Sequence, residues 1–313
     1  MDIHNLEQIK QEFSGFQQEF ENGNKEKALE KLLELLDALE EEDNSRRAAQ
    51  IDKDGNVTLS SEIPAGKPAA EKSAEDGTSK SQPLYMSLNH VMEYYIFAYY
   101  FQPATEVRCT DIPYGEYYRT YGQLALSMQK YNGAKKAYER AIAWNPVDLD
   151  AYLGLAEVYK YQNQREKYLT VTRQAYRYCC TRATMARYYR NMAFYYLSGY
   201  EPETARACYQ YSNVYYHTEN ADSELKYISE AIQQETPQTD IRAIQKLFDE
   251  KQIEPGPDSQ TIGIVYKVGE ILLKDGDYKL AKDCYSIVYD ITQDASAEKL
   301  LNELEAAITG TEE

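Results

Sequence analysis

The chain is poor in the residues that build most enzyme centres. It has three histidines, five cysteines and one tryptophan in 313 residues. His4, His90 and His217 are scattered, and Cys109, Cys179, Cys180, Cys208 and Cys284 contain no CxxC and no even framework. That argues against a disulfide scaffold and a metal knuckle. No HExxH, phosphate loop, glycine-rich dinucleotide fingerprint or Ser/His/Asp order occurs. No catalytic set, cofactor or metal is therefore expected, and the chain reads as a non-enzyme. The N-terminus, MDIHNLEQIK, lacks a basic n-region and an apolar leader. The longest apolar stretch, Val91–Phe101, carries Glu93 and four tyrosines. It falls far short of the roughly 20 residues that span a bilayer. The expectation is a cytoplasmic protein with no membrane partner.

What the chain has in excess is tyrosine: 31 residues, of which 26 lie between positions 83 and 219. A tyrosine packs an apolar ring and keeps a polar tip, which suits half-buried helix faces and binding grooves. Acid is also in excess. The net charge is −17, divided as −9 over residues 1–82, +3 over 83–219 and −11 over 220–313. Such a chain repels phosphate backbones, so nucleic acid is not an expected partner.

Periodicity divides the chain. Leu6, Ile9, Phe13, Phe16 and Phe20 mark one helix face, Asn22-Gly23-Asn24 breaks it, and Ala28 to Leu36 continue on a second helix. Residues 1–42 thus read as a helical hairpin. Residues 43–82, rich in Ser, Ala, Lys, Glu, Gly and Pro, read as a flexible linker. Within it, Asp52-Lys53-Asp54-Gly55-Asn56 before Val57-Thr58-Leu59 predicts a small hairpin around a turn. The same run is similar to the start of an EF-hand loop. Val57 stands where that loop needs its glycine and Ile63 where it needs its bidentate glutamate, so a plain turn is the reading. Pro83 to about Phe101 reads as one helix, followed by a loop over 104–115.

From Tyr118 a pattern repeats. Tyr118, Tyr121-Gly122, Ala125, Tyr131, Ala134, Tyr138, Ala141 and Pro146 form one unit. Tyr152, Leu155, Ala156, Tyr159 and Ala175 follow at 34-residue spacing. Tyr189, Met192, Ala193, Tyr196, Ala205, Tyr209 and Ser212 form a third unit, and Gly269, Gly276, Asp277, Tyr278, Ala281 and Tyr285 a late one. Small residues sit where antiparallel helices approach closely, and large ones fill the gap to the next hairpin. This spacing resembles the tetratricopeptide repeat (TPR). Residues 220–253 read as one degenerate hairpin, and 296–308 as a terminal helix over the last edge. The hairpin of residues 1–42 has Gly23 and Ala28 spaced like Gly276 and Ala281, as a displaced repeat would.

The resemblance implies an all-α, right-handed helical-hairpin solenoid over 83–313, a TPR-like superhelix with an N-terminal helical hairpin. It also implies a protein or peptide partner on the concave face, with acidic peptides favoured by the arginines between Arg165 and Arg206. The first-helix residues expected there are Arg119, Gln123, Leu153, Glu157, Lys160, Arg187, Arg190, Asn191 and Phe194. Arg119, Gln123, Arg187 and Asn191 fall near the slots of a carboxylate clamp known in the family, but Gly154 replaces its central Asn. Cys179-Cys180 reads as a pair of buried small hydrophobes. Three functions stay open at this point. They are a scaffold or adaptor, a peptide-sensing regulator similar to bacterial pheromone-binding repeat proteins, and an enzyme with a site between the array and the N-terminal segment.

Overall fold

The close helical hairpins turn on a residue that tolerates the left-handed region. In the computed structural model, which describes residues 6–43, 48–51, 57–59 and 83–309, that residue recurs. Gly23 (φ 80°), Gln129 (59°), Tyr200 (62°) and Gly276 (81°) are all left-handed. Glycine reaches this conformation without the Cβ penalty that other residues carry. At each of these turns the next residue donates its N–H back five residues: Asn24 to Glu19, Lys130 to Ala125, Glu201 to Tyr196 and Asp277 to Leu272, all at 2.8–2.9 Å. These bonds satisfy carbonyls that a helix end would otherwise leave open.

The chain divides into two compact units, residues 1–163 and 164–313. In the first, α1 (Leu6–Glu21) and α2 (Lys25–Asp43) form the N-terminal hairpin, and α2 packs on α4 (Tyr114–Ser127). Strands β1 (Ala49–Ile51) and β2 (Val57–Leu59) pair antiparallel, Ala49 opposite Leu59, and β1 rests on α5 (Tyr131–Trp144). The expected turn at 52–56 and most of the 43–82 linker lie outside the described residues.

The helix expected from Pro83 is corrected. Leu84–Met86 is a strand, β3, paired in parallel with β4 (Val107–Cys109), and α3 starts only at Val91 and runs to Phe101. The start is set by a reciprocal cap. His90 Nδ1 accepts from Met92 N–H at 3.2 Å, and the Glu93 carboxylate accepts from the N–H groups of Asn89 (2.7 Å) and His90 (3.4 Å). Such a cap outweighs the apolar continuity of the preceding residues.

The α4/α5 hairpin shows how the repeat packs. A Cβ on Gly122 would sit 2.9 Å from the Tyr138 ring, and one on Gly154 of α6 (Leu149–Tyr161) only 2.2 Å from it. Tyr138 therefore fills a slot that two glycines keep open. In the same hairpin Tyr114 and Trp144 stack with centroids 3.9 Å apart.

The second unit carries the same geometry. It comprises α7 (Arg165–Tyr176), α8 (Arg182–Ser198), α9 (Pro202–Tyr215), α10 (Glu219–Ile232), α11 (Ile241–Lys251), α12 (Ser259–Lys274), α13 (Tyr278–Thr292) and α14 (Ala295–Thr309). Gly269 lies under the Tyr285 ring as Gly122 lies under Tyr138, with a Cβ-to-ring distance of 3.0 Å. α14 covers α13, and Leu304 joins Ala281 and Tyr285 in the core. Residues 220–253 depart from the hairpin expectation. α10 and α11 each pack mainly on α9 rather than on each other. Among the described residues, no helix is long and apolar enough to cross a membrane.

Candidate interaction surfaces

Two of the nine first-helix residues are closed to a partner. Leu153 is 3% exposed and Asn191 6%, so both are packing residues, a correction to the expectation that they meet a partner. Arg119 is committed within its own unit. Its guanidinium pairs with the buried Asp148 carboxylate and donates to Asn89 Oδ1 at 2.9 Å. Asp148 in turn caps α6, accepting from Ala151 N–H at 3.2 Å. Burial pushes the Asp148 carboxyl up to about 6, although Arg119 pulls the other way. Glu93 joins the network by accepting from Asn145 Nδ2 at 2.8 Å. An ion pair buried in this way orders the start of α6 and leaves Arg119 little reach toward a ligand.

Glu157 and Lys160 are half-buried and lie 3.9 Å apart. Phe194 is half-buried and meets Tyr168 edge-on at 5.3 Å. Tyr168 occupies the slot that holds a small residue elsewhere in the repeat, and the rings interlock instead. Arg187 and Arg190 are half-buried on α8. Burial, then the neighbouring Arg187 charge, lowers the Arg190 pKa, and Arg190 Nη1 is buried without a hydrogen-bond partner. The carboxylate clamp has no room at its centre, since an Asn at 154 would overlap the Tyr138 ring.

Gln123 is different. It is exposed and lines a groove of about 530 Å³ between α1 and α4. Phe13, Phe16 and Phe20 line it from α1 and Leu124 from α4, with Phe16 and Leu124 themselves buried, and Gln17, Glu21, Lys25, Glu116, Thr120 and Ser127 complete the lining. Phe13 stacks on Tyr117 at 4.2 Å, which anchors the floor. Phe20 is 47% exposed. These phenylalanines were visible in the sequence only as an apolar helix face, and that face is wider than α2 alone covers.

Other candidate chemistry is quiet. Among the described residues no three His, Cys, Asp or Glu side chains converge as a metal site. Cys179 and Cys208 are buried and burial pushes their thiols up; Cys180 is half-buried. A thiol so shifted is a poor nucleophile.

No family model matches the chain, and no curated protein matches it. It is similar to several solved structures. One is the APC/C hetero-tetramer Cut9–Hcn1, with TM-score 0.36 and 14% identity over 63% of this chain and 38% of that one. The chain thus spans well under half the length of the chain it matches there. Another is YrrB, a TPR protein with an unusual peptide-binding site, with TM-score 0.32 and 14% identity over 60% of this chain and 91% of that one. A third is PilF of Pseudomonas aeruginosa, with TM-score 0.34 and 16% identity over 64% and 86%. Likeness at this level carries no weight for function, which rests on the surfaces above.

Proposed function

We propose that the chain is a non-enzymatic scaffold or adaptor, acting in the cytoplasm, whose α1/α4 groove seats an amphipathic helix of a partner protein. The observation that supports this is the groove itself. Phe13, Phe16 and Phe20 recur at three- and four-residue steps along one wall, with polar residues completing the lining. An apolar wall about 10 Å long matches two turns of a helix carrying an apolar stripe. Rigid aromatic rings are the usual anchors of such contacts.

The test is a photo-crosslinker in place of Gln123, with p-benzoylphenylalanine as the probe. The peptide it captures should carry apolar residues at helical spacing, and Phe20→Glu should lower the crosslink yield about tenfold. An unchanged yield in the folded Phe20→Glu protein would remove the groove from consideration.

A further inference from the structure

A second surface is built by tyrosine hydroxyls in the unit of residues 164–313. Lys251 ends α11, and residues 252–258 lead to α12 as Gln-Ile-Glu-Pro-Gly-Pro-Asp. This segment meets α7, α8 and α9, and tyrosine hydroxyls take up three of its consecutive carbonyls as well as that of Lys251 before it. Tyr196 donates to Lys251 O (3.5 Å), Tyr189 to Glu254 O (2.8 Å), Tyr211 to Pro255 O and Tyr176 to Gly256 O (3.0 Å). Tyr188 donates to the Glu254 carboxylate at 2.9 Å. The rings behind the hydroxyls form one cluster. Tyr189 meets Tyr188, Tyr211, Tyr215 and Phe248 at centroid distances of 4.8–5.6 Å. Burial pushes the Tyr188 and Tyr189 hydroxyls well above the ordinary tyrosine range, so both stay protonated donors.

The segment is held as a bound peptide is held. Pro255 and Pro257 have no N–H to satisfy, Gln252 and Ile253 turn theirs back to the carbonyls of Asp249 and Phe248, and the carbonyls from Glu254 to Gly256 are met by hydroxyl donors. Ile253 is buried at 2% exposure, whereas Glu254 and Pro255 remain exposed. The helices that lead into it are lightly anchored. α10 buries Ala221 and Ile228, and α11 buries Ile244 and Phe248. By contrast α8 buries eight residues. Elements with few buried apolar contacts open at low free energy.

We propose that the tyrosine face of α7, α8 and α9 is a binding site for peptides of the form apolar–acidic–Pro–small–Pro, and that residues 252–258 are its resident, displaceable occupant. A partner segment of that chemistry competes for the same hydroxyls, and its binding frees α11. This reading is independent of the α1/α4 groove.

The test uses the full chain and a labelled synthetic peptide, QIEPGPD. With residues 252–257 replaced by a Gly-Ser run, the protein should bind the peptide at least about tenfold more tightly than the parent by fluorescence anisotropy. Adding Tyr189→Phe and Tyr211→Phe to that protein should cost about tenfold in affinity. A replaced protein that keeps its helical circular dichroism but shows no saturable binding up to about 1 mM overturns the proposal. Where the replacement does not fold, Glu254→Lys, a change at an exposed position, serves instead. It should raise hydrogen exchange across 241–258 and admit the peptide. Unchanged exchange with no binding overturns the proposal equally.

Discussion

The α4/α5 hairpin and the α10/α11 pair contrast two ways of holding helices together. In the first, Tyr138 is 2% exposed and fits between Gly122 and Gly154, so shape complementarity carries the contact. In the second, α10 and α11 lean on α9 without closing on each other, and the chain beyond α11 is tethered by hydroxyl-to-carbonyl bonds. Close packing is unforgiving of volume, because a dense core cannot absorb an extra methyl group without strain. Polar tethers are individually small, near 1 kcal/mol each, and each can be lost without disturbing the rest. The first arrangement gives a rigid platform and the second a segment that can let go.

The largest effect should come from breaking the platform. Gly154→Ala places a Cβ 2.2 Å from the Tyr138 ring. The substitution gains about 1 kcal/mol of helix propensity. Overpacking should outweigh that, for a net loss of about 2 kcal/mol in chemical denaturation. Adding Tyr138→Leu should recover part of the loss, since it empties the slot. Simple additivity of the two changes would mean that the ring and the glycine are not coupled.

A second effect is pH-dependent and belongs to the same platform. The Asp148 carboxyl is raised from its ordinary 3.8 to about 6, first by burial. Its folded pKa exceeds its unfolded pKa, so folding favours the protonated form. The stabilisation is complete below about pH 4 and is lost as pH rises through about 6. Relative to Asp148→Asn, the parent should lose about 2 kcal/mol of unfolding free energy between pH 4 and 6.5. A constant difference between the two proteins across that window would show that Asp148 keeps the same charge throughout.

The contrast also explains what could be read from the sequence. The small-residue and tyrosine pairs lie 16 positions apart, Gly122 with Tyr138 and Gly269 with Tyr285. Both partners leave a mark at a fixed local spacing, so the hairpins could be found. The tethers leave no such mark. Tyr189 and Glu254 are 65 residues apart, and the acceptor is a main-chain carbonyl that any residue possesses. β3 was hidden for another reason. Leu84-Tyr85-Met86 is too short to show alternation, and the apolar run from Val91 made the whole stretch look like one helix. Arg119 looked available because its partner, Asp148, sits 29 positions away at the start of another helix.

On the tethered side the expected effects are smaller. Tyr176→Phe removes one hydroxyl from Gly256 O and keeps the ring. It should cost about 1 kcal/mol locally. Hydrogen exchange should rise near residues 256–262 and stay unchanged in α4 and α5. A uniform rise across both regions would mean that the tether supports the global fold rather than one segment.

The smallest effect concerns the turns of the other close hairpins. Gly23 and Gly276 occupy the left-handed position of their hairpins, whereas Tyr200 holds it at φ 62° between α8 and α9. Tyr200 is 94% exposed, so its ring contributes almost no packing to offset the strain. A non-glycine residue in this region costs about 1 kcal/mol, and glycine at the same place loses part of that gain through its freer unfolded chain. Tyr200→Gly should therefore stabilise the protein by about 0.5 kcal/mol, a rise of one or two degrees in Tm. The opposite exchange, Gly276→Tyr, should lower Tm by a similar amount. A fall in Tm for Tyr200→Gly would assign the exposed ring a contact that outweighs its backbone cost.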